Sequence, residues 1–205
     1  MKVIGLCGGS GSGKGTVAGM FSDYGIPSID TDAVYHDLTS CKTSCVDALS
    51  CEFGCGILNS DGSLNRKELS KVVFFGEESS EKREALNRIS HKYVLDKVRE
   101  ILRCYESRGV VAALVDAPLL FESGFDKECD FVIAVIAERD VRIARIVERD
   151  GISAEAALRR IESQLPDAYL TERARYTIYN SGNLSETKIS VDKIAREILN
   201  SRNGE

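Results

Sequence analysis

No stretch of the 205 residues approaches the ~18 consecutive apolar side chains that a membrane-spanning helix needs. The first apolar run, Val3 to Cys7, leads straight into glycines and is too short for the apolar part of a signal peptide. Positive charge is not in excess: 27 Lys and Arg stand against 32 Asp and Glu, for a net charge of −5. A surface that neutralises a phosphate polymer needs clustered Lys and Arg. Nucleic acid is therefore not an expected partner, and any anionic ligand must be held by a local pocket. Histidine is scarce, with only His36 and His91, and a lone histidine is more often structural than catalytic. The N-K-x-D pattern by which GTPase switches read guanine is missing, which tells against a nucleotide-dependent switch. There is no internal repeat and no low-complexity tract. These absences lead us to expect a soluble, cytosolic protein that makes no membrane contact; a monomer or a weak homo-oligomer is the working expectation for its assembly, which composition does not decide.

An even set of cysteines is also lacking. Seven thiols leave at least one unpaired, which fits a reducing compartment better than a secreted disulfide framework. Cys41, Cys45, Cys51 and Cys55 form two C-x3-C pairs. They admit a metal site, and with it a zinc-binding interaction module. The same spacing suits one face of a helix, and free cysteine packs as a small hydrophobe.

What is present is alternation. Val3 to Cys7 and Val110 to Val115 are short, β-branched apolar runs followed by Gly or by Asp-Ala-Pro, and they predict buried parallel strands. Phe131 to Ala137, Pro27 to Ile29 and Tyr176 to Tyr179 predict three more. Helical patterns lie between and after them over Lys14 to Tyr24, Glu81 to Ser107, Arg139 to Arg149, Ala154 to Gln164 and Glu186 to Ser201. Strands alternating with helices imply βαβ units, hence a doubly wound, five-stranded parallel α/β sheet within one domain spanning 1–205. About eighty residues separate the second strand from Val110, far more than one crossover helix requires. Residues 35–107 are therefore expected to form a helical insert, and the surplus around Gly151, over 140–170, a smaller flap.

Gly8-Gly9-Ser10-Gly11-Ser12-Gly13-Lys14 has the Walker A spacing G-x-x-x-x-G-K, after a predicted strand and opening a predicted helix. Glycines let the backbone curl so that its N–H groups converge on phosphate oxygens, the helix N-terminus adds its dipole, and the lysine reaches the β and γ phosphates. An ordinary glycine-rich turn would not need the full spacing. A P-loop NTPase fold that binds ATP is the expectation. Gly15 stands where Ser or Thr usually supplies a magnesium ligand, with Thr16 following.

Ligands of parallel sheets lie beyond the carboxyl ends of the strands, which directs attention to Asp30, Asp32 and Asp116. A carboxylate there can accept a proton from an acceptor hydroxyl or hold magnesium through water. Asp32 can equally be the N-cap of a helix over Ala33 to Leu38, and Asp116, before Ala-Pro, can simply close a turn. Arg142, Arg145 and Arg149 share one helical face. They are either a solvated stripe or arginines that close over developing phosphate charge.

These motifs together resemble the dephospho-coenzyme A kinase family over nearly the whole chain. Ile4 to Ala18 is similar to its G-L-T-G-G-I-G-S-G-K-S-T-V-A, and Ile29-Asp30-Thr31-Asp32 to its I-D-A-D. Phe53-Gly54, Asp61-Gly62-Ser63-Leu64-Asn65-Arg66 and Ile89-Ser90-His91 resemble motifs of its acceptor-binding helical insert. Asp116-Ala117-Pro118-Leu119-Leu120-Phe121-Glu122 follows D-x-P-L-L-F-E; Arg145, Arg149-Asp150, Gln164 and Asn180 match lid and nucleotide positions. Departures are Cys7 for Thr, Ser10 for Ile, Gly15 for Ser, Lys92 for Pro and Arg142 for Gln.

The resemblance implies transfer of the γ-phosphoryl group of Mg-ATP to the 3′-hydroxyl of dephospho-coenzyme A, with 35–107 as acceptor-binding insert and 140–170 as lid. It implies catalytic roles for Asp32 as base and for Lys14, Arg145 and Arg149. It places Gly11, Ser12, Gly13, Lys14, Gly15, Thr16 and Asn180 on ATP, and Asp32, Arg66, His91, Asp116 and Leu119 on the acceptor. Thr16 and Asp116 would hold Mg2+, mainly through water. A nucleoside monophosphate kinase or another small-molecule P-loop kinase is the alternative; the former phosphorylates a phosphate and has no need of the Asp32 base.

Overall fold

The computed structural model of the chain describes residues 1–74 and 79–200. Its centre is a five-stranded sheet of β1 (Lys2–Cys7), β2 (Ser28–Asp30), β3 (Ala112–Asp116), β4 (Phe131–Ile136) and β5 (Tyr176–Tyr179), in spatial order β2-β3-β1-β4-β5. β1 pairs in parallel with β3 and with β4, and β4 pairs in parallel with β5. Ile4, Leu6, Leu114, Ile133 and Val135 are fully buried. This is why the strand sequences run almost continuously apolar rather than alternating: helices cover both faces of the sheet. The register sets Leu6 opposite both Asp116 and Ile133. The loops that follow β1, β3 and β4 therefore emerge at one level.

The helices are α1 (Lys14–Ser22), α2 (Thr31–Thr39), α3 (Ser44–Phe53), α4 (Arg66–Phe74), α5 (Ser79–Ser107), α6 (Arg139–Asp150), α7 (Ala154–Glu162), α8 (Asp167–Arg173) and α9 (Leu184–Asn200). All five predicted strands and all five predicted helices have counterparts here, with ends shifted by a few residues; Ser201, the last residue of the final predicted helix, lies outside the described residues. α9 buries Thr187, Val191, Ile194, Ala195 and Ile198, a spacing of three and four that lays one face on the sheet and α1. α8 follows Pro166, has seven residues and buries only Leu170, too little periodicity to be legible in sequence.

The chain divides into two compact units, Met1–Ile29 with the chain from Leu102 on, and Asp30–Ile101. The first contains the sheet core, in which Phe21, Ile26, Leu114, Ile133 and Ile178 meet. The second has a core of its own made of Cys45, Val46, Leu49, Ile57, Leu64, Leu69 and Val73. Within it, Asp61 accepts hydrogen bonds from the Ser63 amide and hydroxyl and turns the chain, and Leu58 bridges Leu64. Asn65 then accepts from the Glu68 amide at the start of α4. The Asp-Gly-x-Leu-Asn-Arg segment is thus a turn, a core residue and a helix start that together present Arg66. Among the described residues no three His, Cys, Asp or Glu side chains come together as a metal site, and no helix is long and apolar enough to cross a membrane.

Candidate active site

The glycine loop between β1 and α1 has the backbone that its composition anticipates. Gly11 and Gly13 have φ of 78° and 90°, and a Cβ on Gly13 would fall 2.1 Å from Asn180 Nδ2. Left-handed backbone and close approach both require glycine there. α1 starts with no side-chain cap and no acidic residue in its first turn. Its first-turn amides have no intrahelical carbonyl to bond, and the dipole makes that end favourable for an anion. Ser12 is 1% exposed and its Oγ has no hydrogen-bond partner among the described residues. A buried orphan hydroxyl and an uncapped helix end, both in one glycine loop, fit a phosphate ligand.

Lys14 Nζ donates to Gly8 O at 3.0 Å and stands 3.8 Å from Asp116 Oδ1, with both side chains mostly buried. Asp116 ends β3, as the strand pattern implied, and the register brings it to the loop. Thr16 and Gly15 are exposed in the first turn of α1, and a Cβ on Gly15 would meet nothing within 4 Å. Leu119, 42% exposed, borders a small cavity of about 110 Å³ with a mixed lining that includes Gly8, Phe121, Glu122, Gln164 and Leu170. That volume is too small for a nucleotide.

The arginine face of α6 is not a solvated stripe. Arg142 is 5% exposed and donates through Nε to Ser10 O, through Nη1 to Asp167 and through Nη2 to Gln164. Arg145 donates to the carbonyls of Gly11, Ser12 and Asn180. Arg145 is half-buried, and Arg149 is the exposed one of the three; it pairs with Asp150, which Arg160 also contacts. Those two guanidiniums hold the Asp150 carboxyl down to about 2, Arg149 contributing most. Asn180 is 2% exposed; its Nδ2 donates to Ser12 O at 2.8 Å and its Oδ1 accepts from Thr187 at 2.9 Å. One end of that amide holds the loop at Ser12 and the other is itself held by Thr187 of α9.

In the second unit, Asp30 is the N-cap of α2: its Oδ1 accepts from the amides of Asp32 and Ala33 at 2.9 and 3.2 Å. Asp32 sits in the first turn, exposed, so the capping role weighed for it belongs to its neighbour. Arg66 donates to Thr39 Oγ1 at 3.0 Å and lies 5.8 Å from the Tyr35 ring centroid. His91 is on α5, half-buried. Sequence reasoning missed the grip of Arg142 and Gln164 on the loop, and the brace from Thr187. A usable signal lay in α6 itself: Arg142 is one turn from the buried Ile146, so it belongs to the inward face.

The family model described as dephospho-CoA kinase matches residues 2–186. Dephospho-CoA kinase of Corynebacterium efficiens is 37% identical over 199 residues, covering 97% of this chain and 98% of that protein. Among solved structures, TT1252 from Thermus thermophilus superposes with a TM-score of 0.79 at 28% identity, covering 96% of this chain and 97% of the other. Dephospho-CoA kinase from Campylobacter jejuni gives a TM-score of 0.70 at 25% identity, covering 97% and 98%. With the family model matching residues 2–186 and a relative 37% identical over 97% of the chain, the chain belongs to the dephospho-CoA kinase family.

Proposed function

We propose that the chain transfers the γ-phosphoryl group of ATP to the 3′-hydroxyl of dephospho-coenzyme A, giving coenzyme A and ADP. The observation that carries the reading is the uncapped start of α1, with Lys14 beside Asp116 at the mouth of the glycine loop. The loop amides and Lys14 hold the β and γ phosphates, Lys14 exchanging the Gly8 carbonyl for phosphate oxygen. The 3′-oxygen bonds to the γ-phosphorus as the bond from that phosphorus to the β–γ bridging oxygen breaks. The hydroxyl proton passes to Asp32, and the leaving charge stays on ADP. Asp32 is assigned as base because Asp30 is committed to the backbone of α2.

Residues 140–170 act as the lid. Within it Arg149 is the guanidinium free to turn from Asp150 toward phosphate charge, while Arg145 acts on the phosphates through the loop carbonyls it holds. Asn180 serves ATP in the same indirect way, through Ser12. Residues 35–107, with Arg66 and His91, bind the acceptor, as do Asp116 and Leu119. Magnesium typically keeps several waters and takes one or two carboxylates besides the phosphates; one carboxylate, Asp116, and the Thr16 hydroxyl fit that donor set. When bound, the ion neutralises charge on the β and γ phosphates.

The reading is tested by coupled ADP release with dephospho-coenzyme A, AMP, CMP and shikimate as acceptors. Dephospho-coenzyme A is expected to exceed the others in kcat/KM by at least about 100-fold, since a site built to bond one acceptor leaves buried polar groups unpaired with another. Comparable turnover of AMP or CMP would overturn it in favour of a nucleoside monophosphate kinase.

A further inference from the structure

One residue of the phosphate loop is gripped at both of its backbone groups. The Ser10 amide donates to Gln164 Oε1 at 2.8 Å, and the Ser10 carbonyl accepts from Arg142 Nε at 2.9 Å. The two gripping side chains also meet each other, Arg142 Nη2 donating to the same Gln164 oxygen at 3.2 Å. Arg142 is anchored from behind by Asp167, 3.1 Å from Nη1. The contact is tight: a Cβ on Gly9 would fall 2.0 Å from Arg142 Nη2, and one on Gly11 2.6 Å from the Arg142 carbonyl.

Taking a guanidinium out of water is costly unless its donors are met. Here all three nitrogens are met, and two of the bonds run to the loop or to the side chain that holds the loop. A segment with glycine at Gly8, Gly9, Gly11 and Gly13 has the largest backbone freedom to lose when its amides converge on phosphate. Fixing Ser10 from both sides removes part of that freedom before nucleotide arrives, which is how preorganisation raises affinity. We propose that Arg142 and Gln164 are positioning residues that hold the phosphate loop in its ATP-binding conformation. The inference rests on the reading of this loop as the ATP site. It differs from a plain tertiary tie, in which Arg142 would serve only to join α6 to the start of α8 through Asp167.

ATP affinity measured by calorimetry without acceptor, beside thermal melting, separates the two. Arg142→Met keeps the aliphatic stem and loses the donors; Gln164→Met loses the shared acceptor and leaves the arginine. Each is expected to weaken ATP binding about tenfold, the loss of one or two charge-assisted hydrogen bonds. The double variant should bind about as weakly as the weaker single one, because both side chains act on one residue's backbone. Asp167→Asn touches only the anchor and should stay within about threefold of wild type. In steady state the loss should fall on KM for ATP, leaving KM for the acceptor in place.

Should Arg142→Met fail to fold, Gln164→Met carries the test alone. Unchanged ATP affinity in folded Arg142→Met and Gln164→Met overturns the inference. So do losses that multiply in the double variant, or an Asp167→Asn loss as large as that of Arg142→Met. A wild-type chain that binds no ATP would instead sink the phosphate-loop reading itself, and this inference with it.

Discussion

Asp30 and Asp32 stand two residues apart in the chain, and Asp30 is committed to the backbone through the amides of Asp32 and Ala33. Substitutions should separate them cleanly. Asp32→Asn keeps size and loses proton acceptance, so kcat is expected to fall about 10²- to 10⁴-fold with the melting temperature unchanged. Asp30→Ala removes a cap and should cost about 1 kcal/mol of stability while kcat stays within a few-fold. Steady-state kinetics beside thermal melting reads both, and a kcat loss confined to Asp30→Ala would move the base. Gly15 is a second informative position. It lies in α1 without left-handed φ and with open space around its would-be Cβ, so nothing in the fold requires glycine. Gly15→Ser is expected to be as stable as wild type or better by up to about 0.5 kcal/mol, since glycine is the poorer helix residue. The added hydroxyl should lower the free magnesium needed for half-maximal activity. An unaltered magnesium dependence would mean that this position does not meet the ion.

At the scale of elements, α6 presents its arginines to different surroundings along its length: Arg139 to Glu162, Arg142 to Ser10, Gln164 and Asp167, Arg145 to the Gly11 and Ser12 carbonyls, and Arg149 to Asp150. The last of these has a pH signature. The folded Asp150 carboxyl is held at about 2 by Arg149 and Arg160, below the ~3.9 of an unfolded aspartate. Its contribution is therefore present in full above the unfolded value and is lost as pH falls through the folded one. A carboxyl NMR titration should place Asp150 well below the value of an unfolded aspartate, and Arg160→Gln should raise it. A normal value in the wild type would show that the cluster does not persist in solution. Element boundaries were legible where periodicity was long. α9 and α5 declare themselves, whereas α8 has one buried leucine behind a proline and offers no pattern to read.

For the molecule as a whole, each compact unit closes its own apolar core, and thiols sample both. Burial pushes Cys7 and Cys129 up to about 12 and Cys45 to about 11, while Cys41, Cys51, Cys55 and Cys104 are exposed. Because the thiolate is the reactive form, a disulfide reagent at mildly alkaline pH should titrate those four quickly and the other three only after denaturation. Seven fast thiols would contradict the packing of both cores. Protein prepared without chelator is expected to hold far less than one zinc per chain. The sequence by itself determined the parts whose chemistry is local: buried strands from unbroken apolar runs, and a phosphate loop from glycines, a lysine and the start of a helix. It also placed Asp116 at a strand end, where the register then brought it to Lys14. Spacing put Arg142, Arg145 and Arg149 on one face but could not say what that face would meet. Only tertiary structure decided that two of them serve the loop and one the solvent, that Asn180 braces Ser12, and that Asp30 rather than Asp32 caps α2. Each depends on which backbone groups lie within about 3 Å of a side chain. That proximity comes from chain segments far apart in sequence, or from backbone angles that residue identity leaves open.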